Sequence, residues 1–274
     1  MALQLNSKRE AYKAFPQEGS ASNIEQMPKL ISDKRLPLSI AGFMQARIGA
    51  VNAEADVKSA WMDSFFDTGD GIAYHPDGKI KIVPDSQHLR NLTAETSLRD
   101  GALPLEDGVY ETLPGQEFTK KDSEKYFGDW LTLDKAKASP IWRALARDQN
   151  LLNAYVEVIF SEYQKRFANK EDVRNIKLMG AFINNTPKSP EMRAWCVGGL
   201  GYRSYANGRI SLDDRDGRLV GLAPEALVSS KFLVPETRIV APTLDQILSL
   251  GDAHVSPAGR DSYRKDVATL YTPK

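Results

Sequence analysis

Apolar side chains recur at spacings of three and four through most of the chain, and at spacings of two only in short stretches. Ile40, Phe43, Met44 and Ile48 fall on one face of a helix over 37–51, with Ser39 as its N-cap. Val57, Ala60, Trp61 and Phe65 keep the same rhythm, which predicts a second helix with Asn52 as the candidate cap. The strongest pattern follows Asp148. There Leu152, Tyr155, Val156, Ile159, Tyr163 and Phe167 form one apolar stripe, and Glu162 and Arg166 make a supporting pair four apart. Ser139-Pro140 reads as a cap with proline at the first helical position of "IWRALAR". Thr243 with Gln246 resembles a capping box, Gly251 would end that helix, and Ser256-Pro257 opens a last helix through Tyr271.

Period-two alternation marks the strands. Ile72 and Tyr74 on one arm, Ile80 and Ile82 on the other, flank "HPDG", a turn in which proline presets φ and glycine takes the left-handed position. This predicts a β-hairpin with His75 at its tip. Asn207-Gly208 and Asp216-Gly217 are two-residue hairpin signals, and they predict a three-stranded antiparallel meander over 195–222 with "RISLDD" as its middle strand. Residues 84–125 read as irregular, with one short strand near Val109 and Tyr110. The order helices, hairpin, helices, meander, helices gives an α+β fold. Residues 1–35 read as a polar arm and 36–274 as a single α+β domain, with alternative boundaries near 116–124 or 168–190.

Asp67-Thr68-Gly69 spells the core triplet of aspartic proteinases. In that family the triplet follows a buried strand, and two copies meet over one water. Here it follows a helical rhythm, Asp70 stands where a small or hydroxyl residue is wanted, and no second copy occurs. The reading is a turn in which Gly69 lets the chain leave the helix with positive φ, the acidic side chains facing solvent.

Bulk properties narrow the classes. Of 274 residues 42% are hydrophobic, so a large core needs no staples. Lys plus Arg and Asp plus Glu are 36 each, and this balance disfavours a dedicated nucleic-acid binder. A single cysteine, Cys196, allows no internal disulfide and no cysteine-based zinc cage, and its apolar neighbours suggest a buried, inert thiol. Neither a leader-like apolar core nor a run of about 18 apolar residues is present, which predicts a cytoplasmic protein that does not cross a membrane.

Candidate chemistry gathers in the predicted meander. Arg203, Asn207 and Arg209 are the candidate anion-binding residues; Asp213 and Asp214 are candidate bases or metal ligands. His75, with Asp67, Asp70 and Asp77 nearby in sequence, is a further candidate base. No cofactor is predicted, and Mg²⁺ is the metal that the carboxylates would admit. In "CVGGLGYR" the glycines fit close packing under Trp195 or Tyr202 better than a phosphate loop. The leading expectation is a binding or assembly module that takes a small anionic ligand or a protein partner. The alternatives are a phosphate-handling or hydrolytic enzyme with an Arg/Asp site, and an RNA contact through Arg203, Tyr205 and Arg209.

Overall fold

The computed structural model describes residue 5 and residues 11–16, 20–215 and 217–223, which belong to one compact unit. The helices read over 243–271 lie outside the described residues. Among the described residues one sheet of ten strands carries the fold. Its main path runs β1 (Tyr12–Phe15), β10 (Leu219–Leu222), β3 (Phe66–Tyr74), β8 (Glu191–Val197), β9 (Ala206–Asn207), β7 (Ala181–Phe182). Off this path, β2 (Leu36–Pro37) pairs with β10, β4 (Ile80–Val83) with β3, β5 (Leu103–Pro104) with β8, and β6 (Gln116–Phe118) with β4.

Strands β3 and β8 are buried at every residue because both faces are covered. Side chains alternate between the faces of a strand. Ile72, Tyr74, Trp195 and Val197 enter one core with Phe43, Trp61, Trp142 and Tyr155. Ala73, Met192 and Ala194 enter the other with Met27, Leu30, Leu89 and Leu219. The first core is walled by α2 (Ile40–Ala50), α3 (Ala55–Asp63), α8 (Pro140–Ala146) and α9 (Gln149–Phe167). Leu152, Tyr155, Val156 and Ile159 of α9 are fully buried, and each aliphatic side chain among them contributes about 1.5–3 kcal/mol. The second core is closed by α1 (Asn23–Ser32) and α4 (Gln87–Arg90). Strand β1 and helix α1 lie in the segment read as a polar arm; β1 pairs along β10, and α1 supplies Met27 and Leu30 to the core.

The expected caps of α2, α8 and α9 are in place: Ser39, Ser139 and Asp148 each accept a hydrogen bond from the first turn. The cap of α3 is Glu54 and not Asn52. Glu162 and Arg166 stand 3.9 Å apart.

Helix and sheet are both present, as read, but the strand arrangement differs. Only β8 and β9 of the expected meander are neighbours, joined through a 3-10 turn at Leu200–Tyr202 rather than at Asn207-Gly208. "RISLDD" forms no strand, and β10 lies between β1 and β3, parallel to β3 at Leu219↔Asp67. In 84–125, Val109–Thr112 is a short helix, α5, and α6 (Lys120–Tyr126) follows β6.

The Asp-Thr-Gly triplet lies inside β3, not at a helix exit, and Gly69 does not have positive φ. The register of β3 against β8 shifts between Asp67 and Gly71, a bulge at which β3 leaves β10 and takes up β4. Gly69 is needed for a different reason: a Cβ there would come within 2.8 Å of Pro37. Asp70, expected to face solvent, is buried and accepts from the backbone N–H of Ile40 (2.8 Å) and Asp85 (2.9 Å) while pairing with Arg147. Burial pushes its pKa up against the pull of Arg147 and the two backbone donors.

Candidate functional site

At the end of β3 the chain turns from Tyr74 to Ile80 through His75–Lys79. The His75 N–H donates to the Lys79 carbonyl (3.0 Å), and Gly78 takes φ +86°. Helix α6 starts beside this turn with a capping box, Thr119 and Asp122 bonding reciprocally. The stem of Lys120 covers Gly78 so closely that a Cβ there would meet it at 3.0 Å. Across from them β7 pairs with β9 and leads into the loop 183–187. Tyr74 joins the two sides. Its hydroxyl donates to the Gly208 carbonyl (2.8 Å) and accepts from the Asn184 N–H (3.1 Å), and burial pushes its pKa up.

The space between these walls is a cleft of about 300 Å³. Phe127, Ile183 and Pro187 give it apolar surface; Lys79, Lys120 and Arg209 give it cations; His75 adds an imidazole; Asn184, Asn185 and Thr186 give it amides and a hydroxyl. Lys79 is paired with Asp77 at 2.8 Å. Lys120 and Arg209 have no carboxylate partner among the described residues. The Arg209 Nε donates to the Ile183 carbonyl (2.7 Å), which fixes the fork and leaves its outer nitrogens available. The Ser123 hydroxyl, on the α6 wall, is buried with no hydrogen-bond partner.

Beside the cleft lies a continuous aromatic face. Phe65 meets Tyr202 at 4.7 Å between ring centroids and Tyr205 at 6.3 Å. Tyr205 meets Trp130 (6.1 Å) and Phe182 (5.8 Å), and Trp130 meets Phe182 (5.1 Å), all edge-on. Two arginines cap it: Arg203 lies over Trp130 and Arg209 over Phe182, each at 5.3 Å. Tyr202, Arg203 and Arg209 are exposed. The loop is held from beneath by Arg47, which is fully buried. Its guanidinium donates to Ser204 Oγ (2.7 Å), the Tyr155 hydroxyl (3.1 Å) and the carbonyls of Trp61 (2.8 Å) and Gly198 (3.0 Å). Gly198 and Gly199 pack closely, as read, but against Tyr205 and the Asp63 backbone instead of Trp195 or Tyr202.

The structure thus brings Arg203, Asn207 and Arg209 to one region: Asn207 Oδ1 accepts from the Arg209 N–H (3.0 Å), and Arg209 lines the cleft with His75. Asp213 and Asp214 do not line that cleft. Asp213 is exposed, and the charge of Asp214 bears on Asp67. Among the described residues no group of three His, Cys, Asp or Glu side chains could hold a metal ion. His75 has a carboxylate at hand, Asp77 at 2.7 Å, but the one hydroxyl on the α6 wall, Ser123, is bonded to neither.

Asp67 is buried where β3 meets β10. Burial raises its pKa to about 7; the Cys196 thiol favours the charged form, and the charge of Asp214 opposes it. Its Oδ1 and both amide atoms of Asn23 have no hydrogen-bond partner. Cys196 is buried, and burial pushes its thiol pKa well up, as an inert thiol requires. Trp130, Phe182, Lys120 and Ser123 carried no local signal in the sequence; the alternation Arg203, Tyr205, Arg209 was the one trace of the aromatic face.

The chain matches no protein-family model and no curated protein. It is similar to a solved structure described as "Accommodation of massive sequence variation in Nanoarchaeota by the C-type lectin fold", with a TM-score of 0.57 and 14% identity over 80% of this chain and 100% of that one. The likeness shows the C-type lectin fold. No helix among the described residues is long and apolar enough to cross a membrane.

Proposed function

We propose that this protein is a binding module that presents the aromatic–arginine face to a protein partner. One observation carries the reading: Tyr202, Arg203 and Arg209 stand exposed on a bed of packed rings, and neither arginine is paired with a carboxylate among the described residues. Tyr, Trp and Arg are the side chains that dominate binding energy at protein interfaces, where rings supply area at small entropic cost. The edge-on packing of Trp130, Phe182 and Tyr205 suits side-chain insertion better than base stacking, which wants open ring faces. The zero net charge supports the same choice. The similar structure is described as accommodating massive sequence variation by this fold. A scaffold that tolerates wide sequence change is suited to binding.

The test is site-specific photo-crosslinking in the source cells, with a benzophenone side chain at position 202 and, as control, at the exposed Lys170. A discrete protein adduct at 202 that is absent at 170 and lost in the Arg203→Glu variant is the expected result. The same adduct pattern at both positions, or none at 202, removes the reading. Salt-dependent retention of oligouridine that is lost in Arg203→Glu would replace a protein partner by RNA.

A further inference from the structure

The cleft next to the aromatic face has its own chemistry. Lys120 and Arg209 stand on opposite walls with their charges unopposed by any described carboxylate partner, and the Ser123 hydroxyl, on a residue 9% exposed, meets no partner in the fold. A buried hydroxyl without a partner is disfavoured unless something else satisfies it. Phe127 and Ile183 add apolar wall, and Tyr74 ties that wall to the strand end. Four acidic groups bear on the space: Asp77 is already engaged by His75 and Lys79, Glu111 stands 3.8 Å from His75 Nε2, Glu117 acts on Lys79, and Glu124 lies on α6 at its edge. What fits is an oxyanion to face Lys120 and the outer nitrogens of Arg209, attached to a body flat enough to lie on Phe127.

We infer that this cleft binds a small ligand carrying a carboxylate or phosphate on a compact apolar body, with Lys120 and Arg209 holding the oxyanion and Ser123 completing its hydrogen bonds. A guanidinium whose Nε is already committed to Ile183 still offers its terminal pair, the geometry that oxyanions use. The site differs from the face proposed for a protein partner; the two share only Arg209.

The experiment is an amide-resolved NMR titration of the whole chain with inorganic phosphate, phenyl phosphate and benzoate. Phenyl phosphate or benzoate should shift Gly78 and the 183–186 amides saturably and bind several-fold tighter than inorganic phosphate, because the ring covers apolar wall. The tighter of the two aryl probes assigns the anion as phosphate or carboxylate. Lys120→Ala should weaken binding roughly tenfold, the size of one charge-assisted hydrogen bond. Ser123→Ala should weaken it by less, and Arg203→Ala should leave it unchanged. No saturable shift with any probe overturns the inference. So does unchanged affinity in a folded Lys120→Ala/Arg209→Ala variant, or loss of binding in Arg203→Ala alone. A failed crosslink at position 202 would leave this site standing.

Discussion

The hydroxyl of Tyr74 donates to the carbonyl oxygen of Gly208 across 134 residues of sequence, at 2.8 Å. It also accepts from the Asn184 N–H, so a single oxygen ties the end of the central strand to both loops that flank the cleft. Tyr74→Phe keeps the ring in the core and leaves two backbone groups short of a partner. The expected cost is about 1–3 kcal/mol, read from urea midpoints, with faster hydrogen exchange at the Asn184 amide. An unchanged Asn184 exchange rate would mean that the loop is held by other contacts.

Arg47 is the inner support of the aromatic face. Arg47→Met preserves much of the volume but strips donors from the Trp61 and Gly198 carbonyls, Ser204 and Tyr155. Destabilisation of roughly 3 kcal/mol or more is expected, since several buried polar groups lose partners together. A loss under 1 kcal/mol by chemical denaturation would show that water replaces the guanidinium.

Asp67 makes stability depend on pH in an unusual direction. Its folded-state pKa is about 7, above the usual carboxylate value, so the native chain holds this proton more tightly than the unfolded one. The group imposes no penalty below about pH 4, where both states are protonated; its penalty grows as pH rises from there to about 7, then levels off. Other carboxylates titrate in the opposite sense, so the readout is the difference between wild type and Asp67→Asn. The variant should gain up to roughly 4 kcal/mol relative to wild type at pH 8 and little at pH 4. Equal differences at both pH values would show that Asp67 is solvated.

Gly217 has no room for a side chain, because a Cβ there would overlap the carboxylate of Asp67. Gly217→Ala should cost about 1–3 kcal/mol, the usual range for overpacking. The cost should shrink in an Asp67→Ala background, giving a measurable coupling between the two positions. Additive losses would place the strain elsewhere.

These positions show what the sequence makes readable. Ser39, Ser139 and Asp148 mark helix starts because a cap bonds to its own first turn, so the signal is local. Asp67-Thr68-Gly69-Asp70 hid a central strand because Asp and Gly, three of its four residues, are depleted in strands. What stabilises them there is supplied by distant chain: the Thr68 hydroxyl donates to the Trp195 carbonyl (2.9 Å), and Asp70 takes Ile40, Asp85 and Arg147. The meander failed for the same reason. Glycine turns announce a reversal but not its partner, and β10 returns to β3 rather than to β9. Of the cleft, His75 and Arg209 were readable as polar residues near turns. Lys120, Ser123 and Asn184 were not, since nothing short of the folded chain brings α6 and the 183–187 loop together.

Arg203 and Ser204 adopt positive φ side by side, and the second of them points inward to Arg47. The side chain that anchors this corner from the interior is therefore Ser204, while the side chains of Tyr202 and Arg203 lie outside, against Phe65 and Trp130. Recognition and foldability become separately adjustable quantities here. A library randomised at positions 202 and 203 should yield folded proteins with new partners far more often than one randomised at 47 and 204.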